Sequence, residues 1–398
     1  MKITALETLR LEEFPNLVWV IVEDSEGGRG TGESFFGAGA TEAYLHEIAS
    51  PLLLGQDPRD REAIRRRLAP YTGYNGAGAE VRGASAVDMA LWDLWGRHLD
   101  QPVWRLLGGR CRERIRTYNT CAGYRYVRGS AEQTTQNWGL GAAEGPYEDL
   151  DGFLSDAGKV AESLLSQRIT GMKIWPFDFA AEASLGAAIT PDQLAEAVEP
   201  FAKIRAAVGG QMQIMAEMHL LWQPHAMAEI ARALEPFDIY WIEDPMPATA
   251  PTSWADLRAQ VRPKIAGSET MATRAAFRSF MAAGALDVVI MDLGWCGGLT
   301  EANAIASMAE AFHLPIAPHD CTGPLAWAAC THLTLNAPNA LVQESVRAFY
   351  TGWYGELAQN LPVVEDGHIH LPEGAGMITE LKPEVFARPD AHLRRSAL

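Results

Sequence analysis

From residue 217 onward the sequence keeps a nearly constant beat. Short apolar runs end at Glu217, Glu243, Glu269, Asp292, His319 and Glu344, in steps of 26, 26, 23, 27 and 25 residues. A strand, a loop and a returning helix take about that length in a (β/α)8 barrel, a fold of roughly 250 residues. Two earlier runs, ending near Asn119 and Lys173, bring the strand count to eight. The expected class is therefore α/β, with a TIM barrel over residues 113–359. The first hundred residues have another rhythm. Residues 3–11 and 17–23 are β-rich, and the turn-rich stretch Asp24 to Gly32 carries four glycines, which predicts an antiparallel meander. Helical spacing follows over Thr41–Leu54, Asp60–Leu68 and Glu80–Leu99, the last through Ala84, Val87, Leu91, Leu94 and Trp95. Strands followed by helices make an α+β unit, assigned to residues 1–112 and completed by 360–398. Within that last segment, Leu361–Leu371 with its Asp366-Gly367 turn is expected to return and pair with the N-terminal unit. Two loops are expected: Tyr71–Gly78, exposed, and Arg128–Asp156, polar and Gly-rich, as an insertion or mobile loop.

Charge narrows the partners. The formal net charge of the 398 residues is -17, so no basic stripe is available for phosphates or an anionic membrane. A small anionic substrate stays possible, because a bound cation inverts the local field. Five scattered cysteines with no CxxC pair fit a reducing compartment. Neither a signal peptide nor an apolar run of membrane-spanning length is visible, and a cytoplasmic protein is expected.

Apolar strands do not usually finish in charge, yet here they do so repeatedly. In a barrel the strand C-termini converge on one mouth. Carboxylates from adjacent strands would repel one another there unless a hard divalent cation such as Mg²⁺ held them together. Any one of these acids, read singly, is as readily a helix cap, but Glu is a poorer cap than Asp, Ser or Thr, and three consecutive strands end in it.

Glu217, Glu243 in Trp-Ile-Glu-Asp-Pro and Glu269 in Gly-Ser-Glu-Thr resemble the three metal ligands of the enolase superfamily. The mandelate racemase subgroup and its sugar-acid dehydratases are the nearest likeness. The run Ser85-Ala-Val-Asp-Met-Ala-Leu-Trp-Asp-Leu and Leu106-Leu-Gly-Gly109 resemble that family's domain junction, so the likeness covers essentially the whole chain. It implies an α+β capping domain over a modified barrel, and one Mg²⁺ that grips the substrate carboxylate and stabilises an enediolate.

Removing a proton beside a carboxylate needs a base whose pKa lies near the working pH. His319 ends the seventh run, and Asp292, ending the sixth, would be its neighbour across the mouth. A carboxylate on the far nitrogen fixes the tautomer and raises imidazole basicity. The pair resembles the family's His–Asp dyad. His219 lies two residues after Glu217, on the same strand face. It resembles the histidine of galactonate dehydratase-like enzymes that protonates the departing hydroxyl. In Gly171-Met-Lys173-Ile-Trp175, Lys173 matches the first lysine of the family's Lys-x-Lys, while Trp175 stands in place of the second. That removes the usual partner for two-base racemisation and leaves Lys173 as an electrostatic contact to the carboxylate. Glu344 resembles the family's final acid, and Arg347 is a candidate for a substrate oxygen. Phe36, after Phe35, falls where the family places a specificity loop, and Trp295 is expected near the site. The eight other histidines are read as structural or surface residues.

The leading expectation is a lyase that dehydrates an aldonic or aldaric acid to a 2-keto-3-deoxy acid. An epimerase, racemase or cycloisomerase on a similar carboxylate is the alternative, followed by a sugar-acid-binding barrel without turnover. A homo-oligomer is expected from the family likeness and from many Trp and Leu residues able to sit at a surface.

Overall fold

The computed structural model describes residues 1–69 and 76–398. Most of the expected Tyr71–Gly78 loop, Tyr74 included, lies outside the described residues. The N-terminal unit is a sheet with helices on one side. Strands β1 (Ile3–Leu11), β2 (Leu17–Asp24) and β3 (Arg29–Phe35) form the expected antiparallel meander. The helix Ala79–His98 lies across it, packing Ala86, Val87, Ala90, Leu91 and Leu94 against Ile3, Leu6, Val20 and Val22. Two glycines of β3 allow that approach. A Cβ on Gly30 would sit 2.1 Å from the Ala90 carbonyl oxygen, and one on Gly32 would sit 1.9 Å from that of Ala86.

The barrel strands are β4 (Ile115–Thr120), β5 (Gly171–Ile174), β6 (Gln213–Glu217), β7 (Trp241–Glu243), β8 (Lys264–Gly267), β9 (Val288–Val289) and β10 (Gln343–Ser345). All seven run parallel in the order β10-β4-β5-β6-β7-β8-β9. Tyr118, Met215, Trp241, Ala266, Val288, Ile290, Ala317 and Val342 fill the interior. The strand expected to end at His319 is reduced to Ile316, which bridges Val289 on one side and Ala340 on the other. Its neighbours Pro315 and Pro318 have no N–H for a ladder.

Three further expectations are corrected. Leu361–Leu371 does not join the N-terminal sheet: it forms a hairpin, Val363–Glu365 with His368–His370, whose second strand pairs antiparallel with β4 of the barrel. The strand that pairs with β1 is Ala391–Ala397. The Arg128–Asp156 stretch is irregular only as far as Glu148, apart from a short turn at Thr135–Asn137, because the helix Asp149–Ser166 begins there. Its loop is internally bonded: Asn137 Oδ1 accepts from the Gly129 and Ser130 N–H groups, and Glu148 from those of Tyr124, Glu144 and Gly145. Finally, no tryptophan is exposed. Ten of the twelve are buried, and Trp95 and Trp104 are half-buried, which withdraws the tryptophan part of the motive for an oligomer. Among the described residues no helix is long and apolar enough to cross a membrane.

Candidate active site

Strand register builds the centre of the site. Glu217 and Glu243 are directly paired across β6 and β7, so their side chains leave the sheet side by side. Glu269 follows β8 by two residues. One carboxylate oxygen from each of the three lies within 4.8 Å of the others, and all three side chains are buried. Lys173 at the end of β5 threads among them, with Nζ 2.6 Å from Glu243 Oε1, 2.9 Å from Glu344 Oε1 and 3.3 Å from Glu217 Oε2. Burial opposes the lysine's charge, but the surrounding carboxylates outweigh it and raise its pKa well above the ordinary value. A fourth acid, Asp244, is also buried there; its Oδ2 accepts from Ser268 Oγ at 3.0 Å. Burial pushes the carboxyls of Glu243, Asp244 and Glu269 up. For Glu217 the charges of Lys173 and His219 outweigh burial and pull it down.

This excess of buried negative charge fits a cation. Glu217 Oε2 and Asp244 Oδ1 are buried and accept no hydrogen bond, a costly state for a carboxylate oxygen, and the one ammonium near Glu217 Oε2, that of Lys173 at 3.3 Å, is shared with Glu243 and Glu344. The donor set is all oxygen, which suits a hard divalent ion such as Mg²⁺ and not a thiol- or imidazole-seeking metal.

Two histidines face the same cavity, each backed by an aspartate. His319 Nδ1 is 2.7 Å from Asp292 Oδ2, and its Nε2 lies 3.1 Å from Glu269 Oε2. Asp292 is itself fixed by the Gly294 N–H at 2.6 Å. Burial would lower the imidazole pKa, but Glu269, Glu344 and Asp292 raise it well above the ordinary value. His219 Nδ1 is 2.7 Å from Asp178 Oδ2. Burial is again outweighed, here by Asp178 and then Glu217, and the pKa rises to about 9. Strand alternation was expected to bring His219 to the cavity, and it does not. Strand β6 stops at Glu217, and His219 has a φ of 48° in the left-handed region, uncommon for a residue with a Cβ.

Glu344 sits at the β10 end, accepting from Thr120 Oγ1 and from the Asp320 N–H. Arg347 is not available to a substrate. It is 2 % exposed and makes a two-pronged ion pair with Asp149, Nε to Oδ2 and Nη2 to Oδ1, both at 2.6 Å. The three residues after Glu344 turn its side chain behind the β10 end, toward the helix that Asp149 opens.

The cavity holds about 260 Å³; besides these residues its wall includes Phe36, Arg82, Trp138, Trp175 and Trp295. The N-terminal unit closes one side. Trp295 Nε1 donates to the Phe35 carbonyl at 2.9 Å, Ser34 Oγ to the Gly294 carbonyl at 3.0 Å, and Thr300 Oγ1 to Asp88 at 2.6 Å. Glu33 of β3 is fully buried and accepts from Trp19 Nε1 and from the Leu325 and Ala326 N–H groups, which open the helix Pro324–Asn336. None of the other eight histidines lines the cavity.

Sequence reasoning missed Asp178, Asp244 and Arg82. Asp244 stood inside the Trp-Ile-Glu-Asp-Pro run that flagged Glu243. Asp178 and Arg82 carry no local signal, since their role depends on where distant elements pack.

Comparison with known proteins agrees with this geometry. Residues 5–108 match the N-terminal domain of mandelate racemase / muconate lactonizing enzyme, and residues 156–385 match the enolase C-terminal domain-like family. A D-galactonate dehydratase from Ralstonia nicotianae is 32% identical over 384 residues, covering 95% of this chain and 91% of that protein. Among solved structures, an enolase of the mandelate racemase subgroup from Agrobacterium tumefaciens superposes with a TM-score of 0.89 at 46% identity, covering 100% of this chain and 99% of that one. An enolase protein from Sargasso Sea environmental sequencing gives 0.88 at 41%, with the same coverage.

Proposed function

The chain belongs to the mandelate racemase / muconate lactonizing enzyme family of the enolase superfamily, and from that premise we propose that it is a Mg²⁺-dependent hydro-lyase converting an aldonic or aldaric acid to a 2-keto-3-deoxy acid. The supporting observation is the second imidazole. His219, backed by Asp178, shares the cavity with His319, while Trp175 occupies the place of a second lysine. Racemisation by two bases lacks its usual lysine; dehydration has both a base and an acid.

Glu217, Glu243 and Glu269 would hold the ion. Bound there, Mg²⁺ would supply positive charge to the substrate carboxylate and engage Glu269, the carboxylate that does most to keep a proton on His319. His319 Nε2 then takes the proton from carbon 2, with Asp292 holding Nδ1–H. Lys173 adds positive charge near the carboxylate as negative charge moves onto it. The bond from carbon 3 to its hydroxyl breaks, and His219 Nε2 gives that oxygen a proton, so water leaves. The enol left behind ketonises to the 2-keto-3-deoxy acid. Asp178, which does most to raise its pKa, holds a proton on His219 and so leaves it able to donate at neutral pH.

The test is a panel of aldonic and aldaric acids incubated with Mg²⁺ in deuterated water. Keto-acid product is expected from at least one. Exchange at carbon 2 without keto acid would make the protein an epimerase or racemase, and binding without exchange a non-catalytic barrel. Chelation is expected to abolish turnover and Mg²⁺ to restore it; full activity in a rigorously metal-free preparation would sink the metal assignment.

A further inference from the structure

The cavity contains one cation that the reaction above does not use. Arg82 comes from the N-terminal unit, in the second turn of the helix Ala79–His98, and reaches into the cavity wall. Its guanidinium carbon lies 4.6 Å from the centroid of the Trp295 ring, and that ring lies 5.2 Å from the imidazole of His319. One of its donors is committed: Nη1 bonds to the Phe35 carbonyl, which also accepts from Trp295 Nε1. That shared carbonyl precedes Phe36, whose φ of 64° turns its ring onto Trp295 at 5.8 Å. The guanidinium is thus held in place from two sides by the N-terminal unit and by Trp295.

Among the described residues, Nε and Nη2 make no hydrogen bond and no carboxylate lies within 4 Å of Arg82. The segment 70–75, Pro-Tyr-Thr-Gly-Tyr-Asn, contains no acid. Arg82 is half-buried and turns these donors to the cavity with no anion beside them, unlike Arg347 with Asp149, Arg128 with Glu13 and Arg97 with Asp93. A planar fork with two free donors facing a cavity matches a carboxylate.

Building on the dehydratase reading, we propose that Arg82 binds a second, distal carboxylate of the substrate, so that the enzyme acts on aldaric rather than aldonic acids. One carboxylate of the diacid is enolised between Lys173 and the acidic cluster. The other, at the far end of the carbon chain, takes the free donors of Arg82. Between them, carbon 2 faces His319 and the hydroxyl of carbon 3 faces His219. The rigid placement on Trp295 gives the pairing a defined distance from the base, and a chain too short to span it is disfavoured along with a chain ending in a neutral alcohol.

The experiment compares aldarates with the aldonates of matching configuration, measured as kcat/KM for keto-acid formation with Mg²⁺, in wild type, Arg82→Gln and Arg82→Lys. The wild type is expected to favour the diacid by at least about 10-fold. Loss of one charge-assisted bond changes affinity by about 10–100-fold, so Arg82→Gln should collapse the diacid-to-monoacid ratio by that factor, mostly through KM. Arg82→Lys should restore part of the ratio. Equal kcat/KM for diacid and monoacid in the wild type, or an equal fall for both in Arg82→Gln, overturns the assignment and leaves Arg82 as a strut for the Phe35 carbonyl. Calorimetry with two acids that cannot be dehydrated, adipate and hexanoate, separates this from the reaction itself. If no acid sugar is turned over, the dehydratase reading fails. Tighter binding of adipate than hexanoate, lost in Arg82→Gln, still supports the carboxylate site, and equal binding of the two overturns it.

Discussion

The two histidine–aspartate pairs of the cavity have the same 2.7 Å contact and were built in different ways. His319 and Asp292 stand at neighbouring barrel positions. The backbone joins them as well as the side chains, since the His319 N–H donates to the Met291 carbonyl at 2.9 Å. His219 and Asp178 belong to a loop after β6 and to the first residue of the helix Asp178–Ser184, which follows β5. His319 is 5 % exposed and His219 28 % by side chain. A pair on the barrel frame holds a fixed angle to the carbon that loses its proton. In the second pair only His219 is on a loop, and it sits nearer to the solvent into which water departs.

The largest effects should come from deleting the imidazoles. His319→Asn is expected to lower both exchange at carbon 2 and keto-acid formation by on the order of 10⁴. His219→Asn should lower keto-acid formation by about 10²–10⁴ and leave measurable exchange, because the first proton still has its base. Complete loss of exchange in His219→Asn, with metal content unchanged, would place His219 in the first step and erase the distinction.

Smaller effects should follow from the carboxylates behind them. Removing such a partner typically costs about 10–100-fold. Asp292→Asn should slow exchange and dehydration together, whereas Asp178→Asn should slow dehydration alone. A fall in exchange with Asp178→Asn would mean that the loop pair also positions the substrate.

A fully buried histidine outside the cavity shows what the carboxylates contribute. His332 accepts the Trp104 N–H on Nδ1 and meets the Met377 carbonyl through Nε2, with no carboxylate within 4 Å among the described residues. Burial, unopposed, lowers its pKa to about 4. The folded protein therefore refuses a proton that the unfolded chain accepts near pH 6.5. Stability is expected to fall as the pH drops through 6.5 and to level off below about 4, losing about 3 kcal/mol from this group. Denaturant titrations of wild type and His332→Asn across that range check it. The variant should show a shallower slope, and an identical slope would mean that His332 takes up its proton in the fold.

Residues at strand ends were legible because a barrel imposes both a period and a common destination for those ends. That accounts for the three glutamates, Lys173, Asp292, His319 and Glu344. The seventh strand was legible as a position but not as a ladder, because Pro315 and Pro318 remove its donors. His219 was placed in the cavity by a strand rule that does not operate there; a loop with positive φ carries it. Asp178, 41 residues earlier, and Arg82, in another unit, become neighbours only when helices pack. Arg347 misled because charge near a barrel mouth looks the same in sequence whether it faces in or turns back to an acid such as Asp149. The Leu361–Leu371 hairpin was legible as a hairpin, but the choice between β1 and β4 as its neighbour is made by three-dimensional proximity.

The strand Ala391–Ala397 lies along β1 over seven paired positions, from Ala5 opposite Ala397 to Leu11 opposite Ala391. On the ribosome, β1 emerges before the barrel and its partner after it. Throughout synthesis of the barrel, β1 has β2 on one side and bare peptide groups on the other, the kind of open border that invites pairing with another nascent chain. The N-terminal sheet, on which the helix carrying Arg82 packs, is thus finished only after the barrel has been translated.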